Sequence, residues 1–265
     1  MDALGGGCGS RAGADPLAYA VDVVSFGASL LALGLMRAVP PAVDAERPSL
    51  RRVAEGLRYA RSRPELMGTY LVDINAMLFG MPTALFPALA NRYGGAGALG
   101  LLYAAPSVGS LLATLTSGWT GSVHRQGRAV LLAATAWGLA IVGFGLAGSL
   151  VPALVMLVLA GGADMISGLF RMTIWNSTIP DSLRGRLAGI EQVSYSTGPL
   201  LRNVEAGAVA ALTSVRTSVI SGGILCVLGC GALAVLLPAF TRYDARQQPV
   251  EGLPAATTPS AVDAG

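Results

Sequence analysis

Residues 129–148 read AVLLAATAWGLAIVGFGLAG, twenty consecutive residues without a charged side chain. An α-helix of about 20 apolar residues spans the hydrocarbon core of a bilayer. The rest of the chain has the same character: of its 265 residues 53% are hydrophobic and 12% are charged, and the mean hydropathy is +0.60. A soluble domain carries about 25% charged residues. The sequence therefore predicts a protein that folds in lipid.

Six further stretches resemble residues 129–148 in length and apolarity. They are, approximately, residues 17–36, 66–90, 97–119, 150–172, 187–213 and 217–238. We therefore predict an all-α, polytopic membrane helix bundle with about seven transmembrane helices. The predicted segments are a Gly-rich extracellular remnant (1–16), a transmembrane helix (17–36), a cytoplasmic basic linker (37–65), a six-helix transmembrane bundle (66–240) and a disordered cytoplasmic tail (241–265).

Arginine alone sets the predicted orientation, because the 18 Lys and Arg residues include no lysine. Cytoplasmic loops of membrane proteins carry an excess of positive residues. If the first span begins outside, the inner segments carry most arginines and the outer segments carry few. The inner ones are Arg37, Arg47, Arg51, Arg52, Arg58, Arg61, Arg63, Arg125, Arg128, Arg184, Arg186, Arg242 and Arg246, and the outer ones are Arg11, Arg92 and Arg216. We predict an inner or plasma membrane protein with its N-terminus outside and its C-terminus in the cytoplasm.

The composition also excludes several function classes. Without lysine the chain cannot be a P-loop NTPase or a Schiff-base protein. One histidine, His124, and three cysteines make no plausible metal site or disulfide framework. An intramembrane serine protease needs a histidine in a span, whereas His124 lies in a predicted loop. We therefore expect no cofactor, no metal, no nucleic acid partner and no enzymatic activity.

Two patterns predict how the helices are placed. In the linker, apolar residues recur at helical spacing among arginines. This pattern is typical of a basic amphipathic helix that lies at anionic lipid headgroups. The alternative is a linker helix in solvent. Its apolar positions are Leu50, Val53, Leu57 and Ala60. In the 97–121 segment, small residues recur every four positions, which allows close helix packing, unless this is chance in a chain with 35 glycines. They are Ala105, Gly109, Ala113, Ser117 and Gly121.

Charged side chains inside the predicted spans are the candidate functional residues, because such charges are costly in lipid and rarely occur without a role. They are Asp22, Asp73, Asp164, Arg171, Glu191, Arg202 and Glu205, with Asn75 as a neutral companion. Given the predicted orientation, residues 73, 75, 164, 171 and 191 form an inner layer. Arg202 and Glu205, three residues apart, form a deeper second layer, and Asp22 lies near the outer mouth.

We interpret these residues as candidates for proton coupling. A carboxylate that is desolvated in one conformation and paired or hydrated in another changes its pKa between the two. We expect such a carboxylate among Asp73, Asp164 and Glu205, with Arg171 and Arg202 as partners. The alternative is that these residues form fixed ion pairs that hold the helices in register.

Two loop motifs resemble a known family. The segment Pro180-Asp-Ser-Leu-Arg-Gly-Arg186 resembles the P-D-x-x-R-G-R loop of major facilitator superfamily exporters, and its motif residues are Asp181, Arg184, Gly185 and Arg186. The residues Arg125, Gly127 and Arg128 are similar to the superfamily's D-R-x-G-R loop, with His124 at the acidic position. Residues 76–82 and 100–106 are similar to the enterobactin-exporter-like branch, which exports drugs and siderophores. The motifs weigh against a seven-helix receptor.

The resemblance implies a specific architecture and activity. Such transporters have twelve spans in two six-helix halves, so the seven spans here would be the sixth helix, the linker and the second half. The first five helices would be missing through truncation, a miscalled start or a separate chain. The resemblance implies proton-coupled export of small amphipathic compounds by alternating access, with the substrate between the halves. The alternative is a non-transporting membrane subunit, scaffold or decayed gene fragment.

Overall fold

The computed structural model describes residues 14–36, 50–80 and 83–244, and the regular structure in these ranges is entirely helical. Two short 3₁₀ helices, Thr83–Leu85 and Ser117–Ser122, accompany the α-helices. The α-helices are α1 (Ala14–Leu35), α2 (Leu50–Ser62), α3 (Pro64–Phe79), α4 (Phe86–Arg92), α5 (Ala96–Leu115), α6 (Gln126–Leu146), α7 (Leu150–Thr178), α8 (Asp181–Leu212), α9 (Val215–Leu236) and α10 (Pro238–Thr241).

Six of the seven predicted spans each coincide with one α-helix, whereas the predicted span 66–90 contains α3, a 3₁₀ helix and α4. Within the described ranges, five segments are long and apolar enough to cross a membrane: Pro64–Arg92, Ala96–Leu115, Gln126–Leu146, Leu150–Thr178 and Val215–Leu236. The first predicted span contains a shorter apolar helix, Tyr19–Leu35. The sixth, α8, is 32 residues long but carries six charged residues. The chain is an all-α polytopic membrane helix bundle, as predicted.

The chain divides into two compact units, residues 1–47 and residues 48–265. The first unit contains α1, an apolar helix in which Ser25 and Ser29 donate hydrogen bonds to carbonyls one turn earlier, at 2.8 Å and 2.9 Å. These bonds satisfy both hydroxyls within the helix itself, which is what an apolar surrounding requires.

In the second unit, α5 packs closely on α7, and small residues make this approach possible. Ala105, Gly109 and Ala113 of α5 are buried. A Cβ on Gly109 would overlap the carbonyl oxygen of Val158, and one on Gly161 would overlap that of Pro106. The predicted packing stripe is confirmed for these three α5 positions, whereas Ser117 and Gly121 lie beyond α5 in the 3₁₀ helix that follows.

The helix α2 docks against α3 and α8. Ala60 is buried with Leu66 and Trp175, and the Tyr59 hydroxyl donates to the Thr178 carbonyl at 2.9 Å. Leu57, which the apolar pattern placed with Ala60, is instead 43% exposed. The exposed face of α2 therefore combines Leu57 with Arg58 and Arg61, while Tyr59 and Ala60 contact the bundle.

The short helix α10 places the aromatic ring of Phe240 in the interior of the bundle, against α3. Phe240 is fully buried, and its ring fills the space left by Gly68 of α3. Tyr243, which lies in the predicted tail, has its hydroxyl 3.1 Å from the Ser177 hydroxyl of α7. Residues 245–265 lie outside the described ranges, as do residues 1–13 and 37–49.

Candidate transport site

The antiparallel helices α3 and α7 share a face on which polar side chains pair in register. The indole Nε1 of Trp175 donates to the Thr69 hydroxyl at 2.8 Å, and both side chains are buried. Asp73 lies four residues after Thr69 on α3, and Arg171 lies four residues before Trp175 on α7. These two side chains form an ion pair. Since residues four apart lie one turn apart on the same helix face, the two pairs stack along a single interface.

Asp73 and Arg171 form a buried ion pair. Their side chains are only 6% and 7% exposed, and Nη1 of Arg171 contacts Oδ1 of Asp73. Charges are costly to bury, and removing one member of such a pair leaves the other uncompensated. The pair therefore ties α3 to α7 and places two opposite charges in contact in the interior of the bundle.

A second carboxylate, Asp164, lines the same small cavity as this ion pair. The other lining residues are Val72, Ala76, Ala134, Trp137 and Ser167. Asp164 is exposed and makes no hydrogen bond or ion pair with any described residue. The indole Nε1 of Trp137 is buried without a hydrogen-bond partner in the described part of the chain. The cavity thus combines two carboxylates with one guanidinium, giving a formal charge of −1.

Asn75 does not join this cavity. Its side-chain amide donates to the Cys226 carbonyl of α9 at 3.0 Å and lies 3.6 Å from the Cys230 sulfur. A Cβ on Gly229 would overlap its amide oxygen. Two residues along a helix correspond to about 200° of rotation, so Asp73 and Asn75 face different neighbours. Asn75 joins α3 to α9, and Cys226 and Cys230 are both buried.

Arg202 and Glu205 form the predicted pair along α8. Nη1 of Arg202 contacts Glu205, whose side chain is 34% exposed, while Arg202 itself is 1% exposed. The Nε of Arg202 also donates to the Gly80 carbonyl at 3.2 Å, which links α8 to the end of α3. Of the other candidates, Glu191 is half-buried on α8 and Asp22 is exposed on α1.

The loop motifs lie at the starts of α6 and α8. Gly127 is buried, whereas Arg125 and Arg128 are exposed. In the first turn of α8, Arg184 donates to the Asn176 carbonyl at 3.3 Å, and Gly185 has open space around it. The side chains of Asp181 and Arg186 lie outside the described part of the structure.

Four residues that shape this region were not predicted from the sequence: Thr69, Trp137, Trp175 and Phe240. Thr69 and Trp137 carry no signal beyond their place in apolar spans. Phe240 lies two residues after Pro238, at the end of a predicted span. An aromatic residue at that position is a signal that its ring packs into the end of the helix bundle. No three His, Cys, Asp or Glu side chains come together as metal ligands within residues 14–36, 50–80 and 83–244.

Comparisons with known proteins agree with this architecture. Residues 2–263 match a family described as transmembrane secretion effector. The enterobactin exporter EntS of Citrobacter koseri is 30% identical over 223 residues, which cover 83% of this chain and 53% of that protein. The enterobactin exporters EntS of Escherichia coli O1:K1 and O139:H28 are each 29% identical over 211 residues, covering 79% of this chain and 51% of theirs. The chain spans about half the length of these curated relatives, and no solved structure matches it.

Proposed function

Because the chain belongs to the transmembrane secretion effector family of major facilitator exporters, we propose that it takes part in exporting small amphipathic compounds by alternating access. The observation that carries this proposal is the cavity in which the buried Asp73–Arg171 pair lies beside Asp164, a carboxylate that pairs with no described residue. These residues belong to α3 and α7, so a change in their pairing acts on both helices at once.

The charge of the cavity supplies a mechanism for coupling. With Asp73, Asp164 and Arg171 all ionised, the cavity carries one net negative charge. Closing the cavity to water then costs several kcal/mol of free energy for the unpaired ion. One proton on either carboxylate removes that cost. The cavity therefore closes readily when protonated, and a substrate that offers a positive or hydrogen-bond-donating group competes with the proton for Asp164.

Arg171 makes the two carboxylates interdependent. If Asp73 takes the proton, the guanidinium is released toward Asp164; if Asp164 takes it, the Asp73–Arg171 pair is kept. Two carboxylates that lie in one cavity beside a single cation titrate as a coupled set rather than as separate groups. On this proposal, release of the substrate on one side and of the proton on the other drives export. Arg202 and Glu205 form a second ion pair outside this cavity, and Asn75 keeps α3 against α9.

Substrates, location and partners follow from the same proposal. The matched relatives are named enterobactin exporters, which supports siderophores or drugs of similar amphipathic character as substrates. The arginine distribution supports an inner-membrane location with the N-terminus outside and the loops at Arg125–Arg128 and Asp181–Arg186 in the cytoplasm. A further set of helices, on a longer chain or a separate one, would form the opposite wall of the cavity.

The test is a transport assay on this chain, alone and extended by its upstream coding sequence. Export into acidified vesicles should require Asp164: Asp164→Asn should abolish uphill, gradient-driven transport but retain downhill exchange of labelled substrate. Wild-type transport should stop when a protonophore collapses the gradient. Unchanged uphill transport in Asp164→Asn would remove this carboxylate from the coupling. The alternative of a non-transporting subunit, scaffold or decayed fragment is not favoured by a family match over residues 2–263, and it predicts no transport in either form.

A further inference from the structure

The apolar stretch 64–92 is not one continuous helix. The first helix in it, α3, has 16 residues and ends at Phe79, because the backbone angles of Gly80 are not helical, and the next described helix begins at Thr83. Sixteen residues extend about 24 Å, which is less than the roughly 30 Å hydrocarbon core. The last turn of a helix leaves carbonyl oxygens without intrahelical partners, and lipid supplies no donors for them. The end of α3 therefore needs a hydrogen-bond donor from elsewhere in the bundle.

Arg202 of α8 supplies that donor. Its Nε donates to the Gly80 carbonyl at 3.2 Å, and the residue is 1% exposed. A Cβ placed on Gly222 of α9 would overlap Nη2 of Arg202 and would lie 2.8 Å from the Phe79 carbonyl oxygen. The guanidinium and the end of α3 thus share one small space, which exists because position 222 has no side chain.

The charges at this point also favour the arrangement. The C-terminus of a helix carries a partial negative charge, so a cation beside it is stabilising. In transporters with interrupted helices, carbonyl ends of half-helices hold the coupling cation. Here the positive group is Arg202, and Glu205 balances its charge from the same helix. Nη2 has no hydrogen-bond partner among the described residues, which leaves a donor available to the carbonyls beside it.

We infer that Arg202 is a positioning residue that caps the carbonyl end of α3 inside the membrane, with Glu205 as its counter-ion and Gly222 providing its space. The cap fixes the end of the helix that carries Asp73 less than two turns earlier. This role differs from proton coupling by Arg202, and it does not depend on export.

Hydrogen–deuterium exchange of the whole chain in lipid nanodiscs tests the inference without any transport readout. Arg202→Met removes all donors, and Gly222→Ala displaces the guanidinium without changing any charge. Both should raise exchange of the amides at residues 76–80 by roughly fivefold or more, because a hydrogen bond from a charged donor is lost. Amides at 66–72 and in α6 should keep their wild-type rates. Arg202→Lys should give intermediate protection.

Two controls decide between capping and simple ion pairing. Gly231→Ala makes the same change on the same helix where nothing lies within 4 Å of the new Cβ, and its exchange should match wild type. Glu205→Gln leaves Nε on the Gly80 carbonyl, so the end of α3 should stay protected. The inference is overturned if Gly222→Ala behaves like Gly231→Ala, or if Glu205→Gln exposes residues 76–80 as much as Arg202→Met does. Should Arg202→Met fail to fold, the comparison of Gly222→Ala with Gly231→Ala still decides the outcome.

Discussion

Gly127 lies directly against the backbone carbonyl of Phe240, so that a Cβ at position 127 would overlap the carbonyl oxygen. Gly127 belongs to the motif at the start of α6, and Phe240 belongs to α10 at the far end of the bundle's sequence. The absence of a side chain at Gly127 therefore allows the backbone of α10 to pack directly against α6.

The first prediction follows from that contact. Gly127→Ala should destabilise the bundle by about 1–3 kcal/mol, the usual cost of overpacking, because the overlapping atom is backbone and cannot rotate away. Apparent melting in detergent, followed by the loss of monodisperse protein, measures the effect. Gly100→Ala on α5 is the matched control, since nothing lies within 4 Å of its Cβ. Equal melting temperatures for the two variants would contradict the packing argument.

A second prediction separates the structural role of the Asp73–Arg171 pair from its role in coupling. Asp73→Asn leaves a guanidinium buried without its carboxylate, which typically costs about 3–5 kcal/mol. The double variant Asp73→Asn with Arg171→Gln removes both charges and should regain most of that stability. Thermal melting of the single and double variants measures this.

Transport distinguishes the two roles once stability is restored. If the pair only holds α3 to α7, the double variant should transport as wild type does. If it takes part in coupling, the double variant should be stable but unable to drive uphill transport. Full uphill transport by the stable double variant would reduce this ion pair to a structural contact.

A third prediction concerns the buried hydrogen bond from Trp175 to Thr69. Thr69→Val keeps the shape of the side chain but removes the acceptor, leaving the indole N–H unsatisfied. We expect a loss of about 1–3 kcal/mol, the penalty for a buried unpaired donor. Thr69→Ser keeps the hydroxyl and should lose less. If valine and serine variants melt at the same temperature, the hydrogen bond contributes nothing measurable.

The sequence predicted contacts within one helix better than contacts between helices. Arg202 and Glu205 could be paired from their spacing, because three residues along a helix fix their separation. The pairing of Asp73 with Arg171, and the place of Asp164 beside them, depends on how α3 and α7 are rotated about their axes. Periodicity does not determine that rotation in spans that are apolar on every face.

The sequence alone is enough to predict that Asn75 and Asp73 face different neighbours, because side chains two residues apart on a helix point in nearly opposite directions. Their similar depth in the membrane groups the two residues, but depth does not determine the direction in which a side chain points. The capping role of Arg202 could not be predicted from the sequence, for a different reason. It requires the knowledge that α3 ends at Phe79, and the run from 66 to 90 carries no charged residue other than Asp73, so hydropathy alone indicates an unbroken span.

The last prediction concerns α2, whose docking by Tyr59 and Ala60 leaves an exposed face of Leu57, Arg58 and Arg61. A helix with arginines beside an exposed leucine is suited to the headgroup region, where each arginine near an anionic surface contributes about 1 kcal/mol. Adding phosphatidylglycerol to purified protein should raise its melting temperature more than phosphatidylcholine does. The variant Arg58→Gln with Arg61→Gln should lose most of this difference while melting normally in phosphatidylcholine. Arg242→Gln, on the residue after α10, serves as the control for general loss of positive charge. An undiminished phosphatidylglycerol effect in the double variant would show that α2 is a solvated linker helix instead.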